Sequence, residues 1–346
     1  MFNFALYTAG LPLMGLTTIL ALIRGTLVGI VLGALPGLSA MMAVSLLVPL
    51  TYGMTAEVAI LMLLGVYSGA NYAGSISATL VNIPGTPSAV MTTLDAYPMA
   101  KQGKAGLAIG LATMSSAIGG FFSVIVLSML SPVIARFALQ FTSLEKLSIA
   151  IFGISVMAFI SKGSTLKGLI AGVFGLLIAT IGFDPNTSIL RFSFGSIYLN
   201  AGVNFTAAMI GLFGMTEIML AIQDRKKKVT EQDIQKVKDT FACFRYFKKS
   251  LGNLIRSSVI GVIVGAIPGA GGTIGSIITY AQQKKISKHP EKMGTGAVEG
   301  IVAAEAANND CTGGAMTTLL SLGIPGDSVT GILTVAFIID GLQPGP

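Results

Sequence analysis

The sequence contains no tryptophan, a single histidine and two cysteines in 346 residues, and only 11% of those residues are charged. One histidine excludes histidine-rich metal sites and most histidine-based catalysis. Cys243 and Cys311 lie in dissimilar contexts and make no disulfide framework. Soluble domains carry about 25% charged residues, so less than half of that cannot dress a soluble surface. A water-soluble enzyme and a nucleic-acid-binding protein are both excluded. No basic segment precedes the apolar stretch within residues 1–23, so no cleavable signal peptide is expected.

Apolar residues fill the space that charge leaves. They make up 53% of the chain, and the runs 25–56, 58–94, 105–135, 192–216 and 257–283 hold no Asp, Glu, Lys or Arg. Several exceed the ~20 residues that cross a bilayer core. The fold class expected is an all-α polytopic membrane protein. With charge as punctuation, spans are expected near 4–23, 58–83, 106–133, 147–160, 168–183 and 200–223. Ten of the 22 basic residues fall between Arg225 and Arg256, and the positive-inside rule makes 224–250 a basic cytoplasmic loop. Around it the chain divides into an N-terminal repeat (1–105), connecting helices (106–223) and a second repeat (251–346).

The repeat is read from proline and glycine. Five Pro-Gly dipeptides occur, against about 1.6 expected from composition, and four interrupt apolar runs. A backbone break inside a membrane is tolerated only where protein or a water-filled cavity surrounds it. The breaks pair up: RGTLVGIVLGALPG (24–37) answers RSSVIGVIVGAIPG (256–269), and SATLVNIPGTPS (77–88) answers TTLLSLGIPGDS (317–328). The 12 residues from Arg256 to Ile267 reach about 18 Å, short of a ~30 Å core, so a re-entrant hairpin with a glycine-rich tip is expected. Lysines flank the second copy but not the first, which points to inverted repeats with broken helices meeting near the midplane.

Free backbone N–H groups at the start of a half-helix suit an anion, above all a carboxylate. The candidate substrate-binding residues are therefore Pro36, Gly37 and Ser39; Asn82, Pro84, Gly85, Thr86 and Ser88; Pro268, Gly269, Gly271, Gly272 and Thr273; and Pro325, Gly326, Asp327 and Ser328. Polar residues at membrane depth form a second set: Asn71, Glu305, Asn308, Asn309 and Asp310. Their i, i+3 and i+4 spacing gathers Glu305, Asn308 and Asn309 on one helix face. Coordination of a coupling ion, proton relay, substrate contact and plain helix–helix hydrogen bonding are all open to them. Glu57, Asp95, Glu217 and Asp340 read as interfacial, Arg24 and Arg256 as snorkelling residues, and His289 as a solvated loop residue.

These motifs resemble the large membrane subunit of the tripartite tricarboxylate transporters. The resemblance is carried by GALPGLS (33–39), YAGS (72–75), NIPGTPSAV (82–90) and LDAYPMAKQGKAG (94–106). The second copy adds GAIPGAGG (265–272), EAANND (305–310), LGIPGD (322–327) and GLQPGP (341–346). It implies uptake of small carboxylates, citrate or a related di- or monocarboxylate, across the bacterial inner membrane. A Na⁺ or proton gradient would drive it, with no other cofactor and no enzymatic step. A periplasmic solute-binding protein and a small membrane subunit would be partners beside the lipid bilayer, and a homodimer is compatible. Family members continue past GLQPGP, so a chain ending at Pro346 reads as truncated. An anion channel and a non-transporting scaffold are the competing functions.

Overall fold

A computed structural model describes residues 15–35, 38–140, 164–183, 189–203, 237 and 239–345, with isolated residues between 141 and 222. Most of the expected spans 147–160 and 200–223, and residues 4–14 of the span 4–23, lie outside the described residues.

The described chain is almost entirely helical. Helix α1 is Leu16–Ala34, α2 Ala40–Leu47, α3 Ala56–Val81, α4 Val90–Met99, α5 Ala105–Ala138 and α6 Thr165–Ala179. A two-residue antiparallel pair joins Gly182–Phe183 to Leu190–Arg191. Then come α7 Cys243–Gly265, α8 Gly271–Ile286, α9 Val298–Leu322 and α10 Ser328–Ile339. Among the described residues, α1, α3 and the stretch Pro87–Ala138 are long and apolar enough to cross a membrane. With apolar side chains such as Leu27, Val31, Phe121 and Phe174 facing outward, they make this an all-α polytopic membrane protein.

Lipid provides little hydrophobic force between helices, so packing depends on small residues that let backbones approach. On α1, Gly25, Gly29 and Gly33 repeat every fourth residue along the buried face. A Cβ on them would lie 2.0, 2.4 and 2.3 Å from the carbonyl oxygens of Met62, Val66 and Ala70 on α3. Gly261 and Gly265 of α7 meet α9 in the same way: a Cβ would come 2.8 Å from Ala307 Cα and 2.3 Å from the Cys311 carbonyl. Gly33 and Gly265 correspond at the offset of 232 that aligns the first motifs, and Ala70 and Cys311 at the offset of 241 that aligns Pro84 with Pro325. The paired motifs thus make matching close contacts.

Two expectations are corrected. The helix before the second break starts at Cys243, not near Arg256, so it is about 34 Å long rather than about 18 Å. Residues 243–250 belong to this helix and not to a loop. Charge is a poor marker of a helix end here. Cys243, Phe247, Ser250 and Leu254 form a buried stripe at helical spacing, while Arg245 and Lys249 face outward. Likewise Arg24 lies inside α1, exposed, rather than at the start of a hairpin arm.

Candidate functional site

Each copy runs helix, break, short helix, long helix, break, helix. Pro36 and Gly37 of the first break lie outside the described residues. At the second, Pro268 is buried and Gly269 and Gly271 take positive φ, +80° and +61°, a region open to glycine without penalty. The Gly269 N–H donates to the Gly326 carbonyl at 2.8 Å, which ties that tip to the last break. Both long helices end on a left-handed residue, Asn82 (φ 56°) in α3 and Gly323 (φ 71°) in α9. The glycines of the two I-P-G sequences then nest alike: a Cβ on Gly85 would lie 2.1 Å from the Gly33 carbonyl, and one on Gly326 2.6 Å from that of Gly265.

The copies interlock crosswise. Helix α2 packs on α10 of the other copy, while α8 packs on α4 and on the turn Pro87–Ala89 that precedes it. Hydrogen bonds between the copies run in opposite chain order. Tyr67 Oη donates to Asp327 Oδ2, Asn308 Nδ2 to the Asn71 carbonyl at 3.2 Å, and Thr92 Oγ1 to Glu305. Asp95 accepts from the backbone of Gly294. Numbers climb in one copy as they fall in the other.

The helix starts that were expected to be alike are chemically different. Ser39 caps α2, its hydroxyl accepting from Met42 N at 3.1 Å. Asp327 caps α10: its Oδ1 accepts from Thr330 N at 2.8 Å, and its Oδ2 is taken by Tyr67. A carboxylate already seated at a helix N-terminus opposes a second anion there, so the expectation of free donors at 325–328 does not fit this arrangement. Helix α8 has no side-chain cap. Its first turn, Gly271, Gly272 and Thr273, lies between α9 and the other copy: a Cβ on Gly272 would lie 2.7 Å from Asn308 Oδ1 of α9 and 3.2 Å from Ser88 Cβ of the other copy. Ser88 and Thr86 are buried, their hydroxyls 3.1 Å apart, and Asn308 Oδ1 has no partner.

Glu305, Asn308, Asn309 and Asp310 of α9 are all buried but do not converge on one point. Glu305 points to α4 and α5, accepting from Thr92 and, at 2.9 Å, from Ser116. Asn308 faces α3 and the start of α8. Asn309 Nδ2 has no partner. Asp310 turns the other way, between Gly119 of α5 and Gly261 of α7. Among the described residues no group of three His, Cys, Asp or Glu side chains could hold a metal ion. Arg256 donates to Gln283 and, at 3.3 Å, to Asn253, unlike exposed Arg24. His289 lies in an exposed loop, 3.2 Å from Glu291. Glu291 is held below the usual carboxylate range, first by its own backbone N–H.

Asp95 corrects the interfacial reading given to it. It is fully buried, and its Oδ1 accepts from the N–H groups of Gly294, Gly296 and Ala297 at 2.8, 3.0 and 2.7 Å. Its Oδ2 accepts from Tyr280 Oη at 2.8 Å. One side chain of the first copy therefore caps the approach to α9 and fastens α8. The glycine pair in GTG (294–296), just before an apolar helix, is the one local sign that a distant carboxylate was needed.

Fold and site define a helical membrane protein whose broken helices surround a buried polar seam. The chain belongs to the tripartite tricarboxylate transporter TctA family, whose sequence model matches residues 19–346. It is 36% identical over 322 residues to a protein of Agrobacterium vitis described as an uncharacterized 52.8 kDa protein in the TAR-I ttuC′ 3′ region. That match covers 93% of this chain and 64% of the relative, so the chain spans less than two-thirds of the relative's length. A second Agrobacterium vitis protein, from the TAR-II ttuC′ 3′ region, is 40% identical over 86 residues, 25% of this chain and 36% of that protein. No solved structure matches the chain significantly.

Proposed function

We propose that this chain is the membrane-embedded core of a secondary transporter that takes up small carboxylates. It would sit in a bacterial inner membrane, fed by a periplasmic solute-binding protein and accompanied by a small membrane subunit. The observation that carries the reading is the uncapped, glycine-rich start of α8 at the seam between the copies. Its N–H groups and the hydroxyls of Thr86 and Ser88 are donors with no basic side chain among the described residues beside them, a set that takes carboxylate oxygens by hydrogen bonding and helix dipole. Asp327, whose Oδ2 would lie 4.0 Å from a Cβ on Gly271, is engaged by Thr330 and Tyr67. The first break, with Ser39 engaged as a cap, contributes shape more than donors. The opposite chain order of the inter-copy contacts supports an inverted relation of the two copies, the plan by which transporters expose one site to either side in turn.

The test is uptake by the full-length subunit with its two partners in proteoliposomes, under an imposed Na⁺ or proton gradient. Labelled citrate and a panel of di- and monocarboxylates serve as substrates. Gly272→Ala pushes a methyl into Asn308 and Ser88 and is expected to weaken substrate binding about tenfold or more. Gly120→Ala, with nothing within 4 Å of the added Cβ, should bind as wild type does. Equal uptake by both variants would move the site elsewhere. Flux that neither saturates nor responds to an ion gradient would indicate a channel.

A further inference from the structure

Asp310 is fully buried, and among the described residues neither carboxylate oxygen has a hydrogen-bond partner. It is wedged between glycines of two helices. A Cβ on Gly119 of α5 would lie 2.6 Å from Asp310 Oδ2, and one on Gly261 of α7 2.8 Å from Asp310 Cβ. Beside it lies the hydroxyl of Ser258, also without hydrogen-bond geometry, one turn from Gly261 on α7. Ser115, one turn from Gly119 on α5, carries a second buried hydroxyl with no partner.

We infer that Asp310 is the residue that carries a coupling proton through the transport cycle. It is neutral in this conformation and ionised only when the packing of α5 and α7 opens to water. The inference rests on the transporter reading and deepens it by naming the ion and its carrier. An ionised carboxylate with no counter-ion and a single hydroxyl beside it is so unfavourable in a protein interior that the group takes a proton instead. Glu305, one turn away, differs in just this respect: hydroxyls of Thr92 and Ser116 donate to its two oxygens. A hard metal cation needs several oxygens around it, and glycine carbons close two sides of Asp310 while Ser258 adds a single hydroxyl. A proton needs one.

Among the described residues no other group nearby takes the role. Residues 105–135 of α5 are uncharged. On α7, Arg256 is engaged with Gln283 and Asn253. On α9, the Cys311 thiol donates to the Gly261 carbonyl at 3.1 Å. The balance is simple: Asp310 accepts H⁺ from water on the outer side, forming the acid, and releases it to water on the inner side. Ser258 is the adjacent hydroxyl that can pass it on.

The experiment compares wild type and Asp310→Asn in proteoliposomes of the assembled transporter, measuring substrate exchange with no gradient and accumulation under a pH gradient. One pH unit supports about tenfold accumulation per coupled proton. Asp310→Asn, a mimic of the neutral acid, should keep exchange and lose that accumulation. Accumulation retained by the variant would overturn the assignment, as would wild-type accumulation driven by Na⁺ with no response to pH. Wild type without exchange of any carboxylate would overturn the transporter reading itself, and the assignment with it. Infrared spectra of the wild type labelled with ¹³C-aspartate keep the assignment falsifiable if the variant does not assemble. A neutral aspartic-acid band persisting above the pH where exposed carboxyls ionise is expected, and its absence would refute the proposal.

Discussion

Replacing Asp95 by alanine removes four hydrogen bonds at once. Three come from the backbone of Gly294, Gly296 and Ala297 and one from Tyr280. Bonds to a charged group contribute about 1.5–3 kcal/mol each, but they share one acceptor and do not add. Their common loss leaves backbone donors without a partner beside a fully buried position, and we expect Asp95→Ala to cost about 3–5 kcal/mol. Asparagine keeps one oxygen for the three N–H groups, and its amide can donate to Tyr280, so Asp95→Asn should cost about 1–2 kcal/mol. Equilibrium unfolding in mixed micelles of sodium dodecyl sulfate and a mild detergent reads both. An Asp95→Ala protein within about 1 kcal/mol of wild type would refute the reasoning, because a surface-like tolerance is incompatible with a buried cap. So would an asparagine variant less stable than the alanine one.

Gly33→Ala and Gly265→Ala should destabilise to a similar degree, by about 2 kcal/mol or more, since each methyl would strike a backbone carbonyl of the partner helix. The same unfolding assay checks the pair, and a large difference between them would argue against equivalent packing. At the left-handed ends of α3 and α9, Asn82→Gly should be neutral or slightly stabilising, whereas Gly323→Ala should cost about 1 kcal/mol or more. Melting temperatures moving in the opposite order would show that these caps do not set the break.

Much of the architecture was legible because membrane helices advertise their constraints. The paired Pro-Gly sequences mark breaks that the described residues show at 266–270, 82–86 and 323–327. The four-residue spacing of Gly25, Gly29 and Gly33 follows from close packing. The capping of α10 was also readable, since Asp327 followed by Thr330 is an N-cap signature, although its consequence for anion binding emerges only with the structure. The extent of α7 was obscured because charge at one face does not interrupt backbone hydrogen bonding. Asp95 was out of reach for another reason: its partners lie about two hundred positions further along the chain, and nothing local distinguishes it from an interfacial acid. The contrast between capped Ser39 and uncapped Gly271 was visible as letters, but equivalence of motif had implied equivalence of chemistry.

The crosswise seating of α2 on α10 and of α8 on α4 bears on how such a chain is made. As the ribosome delivers it, α2 inserts early, yet the surface that completes its burial is not synthesised until residues 328–339 emerge. Until then a short broken helix, with backbone groups at its ends, waits in or beside the bilayer. Closure over so long a stretch is entropically slow, and unsatisfied peptide groups in lipid are unfavourable. Biogenesis of this protein should therefore depend on an insertase or holding factor that shelters α2, and premature termination upstream of α10 should mark the product for degradation.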